Sequence, residues 1–254
     1  MGHRYARRDQ ILGMDPDAQA EEITRLFSCY EFPWDVTQAL SFALFRTYAV
    51  PSIGRILALT GELTGRTQKR HDDTVLILDA VLVHGLGSSE GRAAVRRMNQ
   101  MHRAYDISDD DMRYVLSTFV VTPVRWIQEF GWRPLTRVEI DAQTTYYRNL
   151  GRHMGITQIP ATYEEFAALL DAHEAEHFRH DAGGRAVADA TIALFRTFPP
   201  NSLLPAALVR LFVVSMMGPD LCRALGYARP PRAVVTGCRS LVRLRGSVVR
   251  RLPP

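Results

Sequence analysis

Apolar residues recur at helical spacing along most of this 254-residue chain, and helix start signals precede several of the apolar stretches. Two of these signals are capping boxes, in which a threonine is followed three residues later by a glutamate: Thr136 with Glu139, and Thr162 with Glu165. Strict alternation of apolar and polar residues, which is typical of β-strands, is hard to find over any sizeable stretch. The sequence therefore predicts an all-α fold, and its length suits a single-domain helical bundle.

Prolines and polar caps divide the chain into successive helices. Pro51 interrupts an apolar helix that begins near Asp35, and Pro123 predicts the end of another, with a short helical continuation to Phe130. The predicted helices are residues 17–30, 35–48, 52–63, 70–82, 89–102, 112–121, 136–154 and 162–178.

Composition and charge predict how the chain is organised. Hydrophobic residues make up 46% and charged residues 23% of the chain, which is typical of a globular protein. The net charge is +4, and much of the excess comes from arginines beyond Arg223. We therefore expect a polar arm over residues 1–16, one globular domain over residues 17–228 and a basic tail over residues 229–254.

Residues 70–102 carry the best candidate for chemistry. They predict two helices joined by a glycine-rich turn, with Ser89 as the N-cap of the second helix. On the first helix, Arg70 and Thr74 lie one turn apart. On the second, one stripe places a histidine among mostly apolar residues: Ala94, Met98, Met101, His102 and Tyr105. On pattern alone, such a histidine is more often a core residue that is hydrogen-bonded to a neighbour than a metal ligand.

Several stretches of the sequence carry a resemblance to a known family. They are the Lys-Arg-His-Asp-Asp-Thr segment at 69–74, which His102 follows 28 residues later, and the segments at 42–51, 97–102 and 111–125. In order and spacing they resemble the MpaB-like oxygenases and, more distantly, the latex-clearing rubber oxygenases. The resemblance covers about residues 20–225, and it identifies the expected globular domain as an oxygenase-like catalytic domain.

The resemblance implies a cofactor and the residues around it. In that family a histidine is the proximal iron ligand of a b-type haem, and in this chain the matching residue is His102. Met98 and Met101 would then contribute to the cofactor site from the same helix. Arg70 and Thr74 match the pair that lies on the side where oxygen binds.

Two features of the sequence bear on how a haem would be held. The rubber oxygenases have a lysine beside the threonine, which can occupy the open iron position, whereas this chain has Asp73 there. A lysine-capped iron is therefore not expected. The sequence also contains no Cys-x-x-Cys-His motif, so a c-type covalent attachment is not expected either.

The resemblance also implies a reaction, which is oxidative cleavage of a carbon-carbon double bond in an apolar, isoprenoid-like substrate. Dioxygen and that substrate would be the small-molecule partners. No reductase-docking or flavin motif occurs, which favours a dioxygenase that needs no external electrons. No nucleic-acid partner is expected, because no nucleic-acid-binding motif accompanies the basic residues. A non-catalytic haem-binding protein is the alternative that the same residues allow.

Arg125 is a further candidate cofactor-binding residue. It ends an apolar helix next to Trp126, where burial of a guanidinium is unfavourable unless the group meets an anion. A haem propionate would supply that anion, and a salt bridge to Asp111 or Glu129 is the structural alternative. Arg46 has the same two interpretations.

A competing motif lies at residues 173–177. His173, Glu174 and His177 match H-E-x-x-H, in which two histidines one turn apart bind zinc and the glutamate acts as general base. Charged residues flank the motif and two glycines follow it, which is typical of a solvated helix end rather than of the apolar helix of a zinc hydrolase. His180 offers a third imidazole. A zinc hydrolase is therefore the less favoured alternative.

Residues 230–254 of the tail carry six arginines among valines and leucines, a pattern that predicts an amphipathic basic helix. Gly237 and Gly246 weaken that prediction. The tail could dock onto a membrane surface or lie only in solvent. If it docks, the arginines are expected to contribute more binding free energy than the scattered apolar residues.

The sequence carries no targeting or spanning signal. The N-terminal residues lack the apolar core of a signal peptide, and no uncharged apolar run reaches about eighteen residues. The three cysteines show neither zinc-site spacing nor the density of a disulfide scaffold. We therefore expect a cytoplasmic protein, with peripheral membrane contact through the tail as the open alternative.

Overall fold

The computed structural model describes residues 4–252, and all regular secondary structure in that range is helical. The all-α prediction is therefore confirmed. A π-helical turn covers Phe27–Glu31, and a 3-10 turn covers Asn201–Leu203. The α-helices are α1 (Ala6–Leu12), α2 (Ala20–Leu26), α3 (Pro33–Tyr48), α4 (Pro51–Leu59), α5 (Glu62–Gly65), α6 (Thr67–His84), α7 (Ser89–His102), α8 (Asp109–Phe130), α9 (Arg137–His153), α10 (Tyr163–His177), α11 (Ala182–Phe195), α12 (Ala206–Met216), α13 (Pro219–Ala224) and α14 (Arg232–Val249).

The described residues divide into two compact units, each built from segments that are distant in sequence. Unit 1 contains residues 4–43, 76–171 and 243–252, and unit 2 contains residues 44–75 and 172–242. The boundaries between the units fall within α3, α6, α10 and α14. The expected arm, catalytic domain and tail were consecutive segments of the chain, whereas each unit combines separate segments. The expected boundaries at residues 16 and 228 stay a prediction.

Both predicted capping boxes form. Thr136 accepts a hydrogen bond from the Glu139 backbone at 3.3 Å, and the Glu139 carboxylate accepts one from the Thr136 backbone at 2.7 Å. The Thr162 and Glu165 pair makes the same two bonds, at 3.2 and 3.3 Å. These reciprocal bonds satisfy backbone donors that a helix start would otherwise leave without partners.

Pro123 does not end a helix, which corrects the prediction that α8 stops before it. Proline lacks a backbone N–H and therefore leaves the carbonyl group four residues earlier, that of Phe119, without its helical donor. The side-chain amide of Gln143 on α9 donates to that carbonyl at 3.1 Å, and to the next one, of Val120, at 2.9 Å. Because Gln143 replaces the missing donor, α8 continues through the proline to Phe130.

An ion cluster in the interior of unit 1 holds the segment between α8 and α9. Arg133, which is 6% exposed, bonds to the fully buried Glu139 at 2.7 and 2.8 Å and to Glu31 at 3.2 Å. Arg7 reaches Glu31 from α1 at 2.9 Å. Removal of one member of such a buried pair leaves an uncompensated charge, so the cluster favours a single arrangement of this segment.

In unit 2, glycines allow α4 and α11 to cross closely. A Cβ atom on Gly54 would lie 2.7 Å from the carbonyl oxygen of Tyr48 and 3.0 Å from the Cα atom of Gly184. A Cβ atom on Gly184 would overlap the same Tyr48 oxygen. Asp181 caps α11 by accepting bonds from Gly183 and Gly184, at 2.9 and 3.2 Å. The two glycines after residue 177 thus belong to a helix crossing.

The C-terminal tail contains a continuous helix, α14, despite its two glycines. A Cβ atom on Gly246 would overlap the carbonyl oxygen of Phe130, so this glycine lets α14 pack closely on the end of α8. In the same unit, Arg245 bonds to Asp35 at 2.7 Å and Arg243 to Glu129 at 2.6 Å. Gly246 is therefore a packing position rather than a helix breaker.

Across residues 4–252 no single helix has the length and apolar character needed to cross a membrane. α3 and α4 reach the required length and composition only when they are taken together, and a bend of 97° separates them.

Candidate functional site

Arg70 and Thr74 are held together on α6, as their spacing predicts. The Arg70 guanidinium donates to Thr74 Oγ1, and the Thr74 hydroxyl donates to the Arg70 carbonyl oxygen at 2.8 Å. Both residues are half-buried. Lys69 pairs with Asp73 at 2.5 Å, and these two side chains are 63% and 45% exposed. The flanking ion pair therefore lies on the solvent side of the helix, while Arg70 and Thr74 point into less exposed surroundings.

Tyr48 is a residue near Arg70 that the sequence did not single out. It lies at the end of α3, it is 1% exposed, and its hydroxyl forms a hydrogen bond with Thr191 Oγ1 at 3.4 Å. Burial raises the pKa of Tyr48 to about 12, and the positive charge of Arg70 acts in the opposite direction. Tyr48 therefore stays protonated at neutral pH. It lies close enough to Arg70 for the positive charge to affect its pKa. Its position at the end of a strongly apolar helix was the available signal.

His102 is the last residue of α7, and the turn before that helix fixes where the helix begins. The N-cap is Ser88 rather than the predicted Ser89, and its hydroxyl accepts a bond from the Gly91 backbone at 2.8 Å. A Cβ atom on Gly91 would overlap the carbonyl oxygen of Gly85, so the turn requires glycine there. Farther along α7, Ala94 and Val95 pack into a core cluster with residues of α6 and α9.

The predicted apolar stripe on α7 is correct up to His102 and wrong beyond it. Met98 is 7% exposed, and Met101 and His102 are half-buried. Tyr105 follows the helix and is 46% exposed, because the chain leaves the helical path after His102. The imidazole thus lies at the end of the helix, next to two methionines.

Arg125 forms an ion pair with an acid that the sequence did not indicate. Its guanidinium donates to both carboxylate oxygens of Asp171, each at 2.7 Å, instead of to the expected Asp111 or Glu129. The hydrogen bonds that Arg125 donates to Asp171 raise the pKa of Arg125, and burial opposes this effect. Arg46 likewise pairs with an acid, Glu174, at 2.5 Å. For both arginines, contact with a haem propionate stays a prediction.

The predicted site residues belong to different units. Arg70 and Thr74 are in unit 2, together with Tyr48. Unit 1 contains His102, Met98, Met101 and Arg125.

The H-E-x-x-H motif does not form a recognisable zinc centre. The rings of His173 and His177 lie 4.3 Å apart, but Arg46 binds the glutamate that would act as general base. Within residues 4–252, no three side chains of histidine, cysteine, aspartate or glutamate are arranged to hold a metal ion. A zinc hydrolase, which needs three protein ligands and an unengaged base, gains no support from this arrangement.

Comparison with known proteins identifies close similarity to oxygenases. A family model described as "ER-bound oxygenase mpaB/B'/Rubber oxygenase, catalytic domain" matches residues 41–248. The ER-bound oxygenase mpaB' of Penicillium brevicompactum is 30% identical over 94% of this chain and 60% of its own length. The ER-bound oxygenase mpaB of Penicillium roqueforti (strain FM164) is 30% identical over 83% of this chain and 76% of its own length.

The ER-bound oxygenase mpaB of Penicillium brevicompactum is 30% identical over 70% of this chain. The chain spans 60% and 50% of the lengths of the two Penicillium brevicompactum relatives. The family match, in contrast, covers most of the chain and includes Arg70, Thr74, His102 and Arg125. The chain therefore belongs to the family of the ER-bound oxygenase mpaB/B' and rubber oxygenase catalytic domains.

Proposed function

We propose that this protein is a haem-dependent dioxygenase that cleaves a carbon-carbon double bond of an apolar, isoprenoid-like substrate. The observation that carries the proposal is the family match over residues 41–248, a range that contains Arg70, Thr74 and His102. The relatives are named ER-bound oxygenases, and we propose that this chain shares the oxygenase activity.

The donor set of the described residues fits a b-type haem better than a metal ion bound only by side chains. No group of three metal-ligating side chains occurs between residues 4 and 252, whereas a haem would need only one iron-binding donor from the protein. His102 would be that donor, with Met98 and Met101 as apolar neighbours. To bind a haem propionate, Arg125 would have to release Asp171.

When bound, the haem would supply a redox-active iron that activates dioxygen. Arg70 would act as a fixed positive donor that stabilises negative charge as it develops on oxygen. The bond of its guanidinium to Thr74 Oγ1 restricts the orientation of that group. Tyr48 would add a neutral hydroxyl, because burial keeps it protonated.

Two measurements test the proposal in sequence. The purified protein is analysed for iron and zinc, and its absorption spectrum is recorded with and without added haemin. A Soret band with stoichiometric iron is expected, whereas zinc without a Soret band would support a hydrolase. Unsaturated apolar substrates are then incubated with the protein under oxygen-18. Carbonyl products carrying the label are expected, and stoichiometric haem without any product would identify a non-catalytic haem-binding protein.

Peripheral contact with a membrane through the C-terminal residues is also part of the proposal. Its support is the basic, amphipathic sequence of α14, together with relatives whose printed names describe ER-bound proteins. Such contact would bring the protein to the phase in which an apolar substrate is concentrated.

A further inference from the structure

The part of α14 that belongs to unit 1 has one packed face and an apolar stripe that points away from it. On the packed face, Gly246 contacts the end of α8. On the other side, Leu244, Val248 and Leu252 are 58%, 47% and 52% exposed. Leu244 and Val248 lie one helical turn apart on the same side of α14, and Leu252 follows three residues after the helix ends at Val249. A contiguous apolar stripe on a surface is a feature of interaction sites.

An exposed tryptophan lies beside this stripe. The guanidinium of Arg245 lies 4.0 Å from the ring centre of Trp34, which is 37% exposed. Arg245 precedes Val248 by three residues, so the two are neighbours on the helix surface. The other tryptophans of the chain, Trp126 and Trp132, are 7% and 3% exposed. Tryptophan is enriched where a protein meets the boundary between water and lipid, because its ring is apolar and its N–H is polar.

The charges of the tail are only partly available to a partner. Arg243 and Arg245 are bound to Glu129 and Asp35 of the same unit. Arg250 and Arg251, in contrast, have no ion-pair partner among residues 4–252, and in the sequence they lie between Val248 and Leu252 of the apolar stripe. Positive charge at the rim of an apolar stripe is complementary to a surface of anionic lipid headgroups.

An open cavity of about 470 Å³ adjoins the same end of α14. Ser247 and Arg250 line it on the α14 side, and Tyr5 and Arg8 line it on the α1 side. It is large enough for a polar headgroup. Because Arg8 is paired with Asp9, Arg250 supplies the available positive charge of the two arginines named here.

We infer that Leu244, Val248 and Leu252 insert into the surface of an anionic lipid bilayer, with Trp34 at the interface and Arg250 and Arg251 against the headgroups. This inference rests on the proposed peripheral contact and changes its physical basis. Because Arg243 and Arg245 are already bound within the protein, burial of the apolar stripe supplies most of the attraction to the bilayer. Arg250 and Arg251 make the binding selective for negatively charged lipids.

The first experiment measures sedimentation of the full-length protein with phosphatidylcholine vesicles that contain or lack phosphatidylserine. The double variant Leu244→Glu/Val248→Glu should bind at least about tenfold more weakly, because it removes two apolar side chains that would insert into the lipid and adds two negative charges. The matched control is Leu59→Glu/Leu203→Glu, which makes the same changes at two leucines that are 86% and 85% exposed. The control should bind like the unaltered protein.

The second experiment separates the arginines from the stripe. Arg250→Glu/Arg251→Glu should weaken binding to anionic vesicles several-fold, and it should change binding to pure phosphatidylcholine little. The matched control, Arg96→Glu/Arg97→Glu on the exposed side of α7, should retain full binding. Trp34 offers a direct readout, since brominated lipids should quench its fluorescence and the Trp34→Phe variant should lose that quenching.

The vesicle measurements separate insertion of the apolar stripe from membrane contact in general. If the Leu244→Glu/Val248→Glu variant and its control bind vesicles equally, the apolar stripe is not the part that inserts. The broader proposal of peripheral membrane contact would be unaffected. An unaltered protein that binds neither type of vesicle would overturn both. Haem content and substrate turnover, measured in detergent-free solution on the same preparations, report separately on the proposed oxygenase.

Discussion

Arg46 holds Glu174 through two hydrogen bonds of 2.5 Å, and the two side chains are only 25% and 14% exposed. The relationship assigns a structural role to the glutamate of the H-E-x-x-H motif. A carboxylate bound in this way is neutralised by a permanent cation and is a poor general base. Within the motif, Glu174 thus serves as the ion-pair partner of Arg46.

Replacement of Glu174 by alanine should lower the free energy of unfolding by about 2 kcal/mol, because it leaves a partly buried guanidinium without its charged acceptor. Chemical denaturation at neutral pH measures the change. The control is His177→Ala, whose side chain is 44% exposed and should matter little. A rise in stability on addition of zinc to the unaltered protein would contradict the structural role of the motif.

Replacement of His102 by alanine should abolish stoichiometric haem binding, because the proposed axial donor is lost. The His173→Ala variant should keep the Soret band. Circular dichroism of both variants checks that each remains helical. A normal Soret band and iron content in the His102 variant would remove this residue from the proposed site.

Replacement of Arg70 by alanine should leave haem bound and lower turnover by about a hundredfold, as loss of a preorganised donor commonly does. Lys69→Ala is the matched control, because Lys69 is the preceding residue and its side chain is 63% exposed. Its turnover should equal that of the unaltered protein. Steady-state oxygen consumption measures both, and equal rates for the two variants would exclude a role for Arg70.

Replacement of Gly184 by alanine should destabilise the protein by about 3 kcal/mol, because the added methyl group would overlap the Tyr48 carbonyl oxygen at the crossing of α4 and α11. Gly237 lies in α14, where an added Cβ would meet no atom within 4 Å. Gly237→Ala should therefore stabilise the protein slightly, by up to about 1 kcal/mol. Thermal denaturation compares the two, and similar melting temperatures would contradict the close crossing.

Stability should fall at alkaline pH in a way that depends on Tyr48. In the unfolded chain its hydroxyl ionises near pH 10, whereas burial raises its pKa to about 12 in the folded protein. Between these values the unfolded state releases a proton that the folded state keeps, so up to about 2–3 kcal/mol of stability is lost as pH rises. Below pH 10 this contribution is fully present.

Denaturation of the unaltered protein and of Tyr48→Phe between pH 9 and 12 tests this dependence. The variant should show a smaller loss, because it lacks the ionising group, while the other tyrosines act equally in both proteins. Parallel curves would show that Tyr48 does not titrate in this range.

Local signals in the sequence predicted local structure well. The capping box of Thr136 and Glu139 formed because both partners lie within one helical turn. Arg70 and Thr74 met for the same reason, since residues four apart share one face of a helix. The start of α7 was misplaced by one residue, because two adjacent serines offer equivalent caps and only the contact between Gly85 and Gly91 distinguishes them.

Partners that are distant in sequence were not predictable from periodicity. Arg125 was correctly expected to meet an anion, but its acid, Asp171, lies 46 residues away on another helix. Tyr48 was missed because an apolar pattern shows that a residue is buried without showing which polar groups surround it. Helical spacing thus indicates on which face of a helix a residue lies, and the tertiary fold determines which residues are its neighbours.

The bond from Gln143 to the Phe119 carbonyl has a consequence for how the chain folds. An α-helix usually completes its own backbone hydrogen bonds, yet α8 depends on an amide group supplied by α9. Until α9 docks, the turn at Pro123 lacks a donor, and the C-terminal part of α8 has little reason to stay aligned with the rest. The two helices should therefore acquire their final form in one cooperative step rather than one after the other.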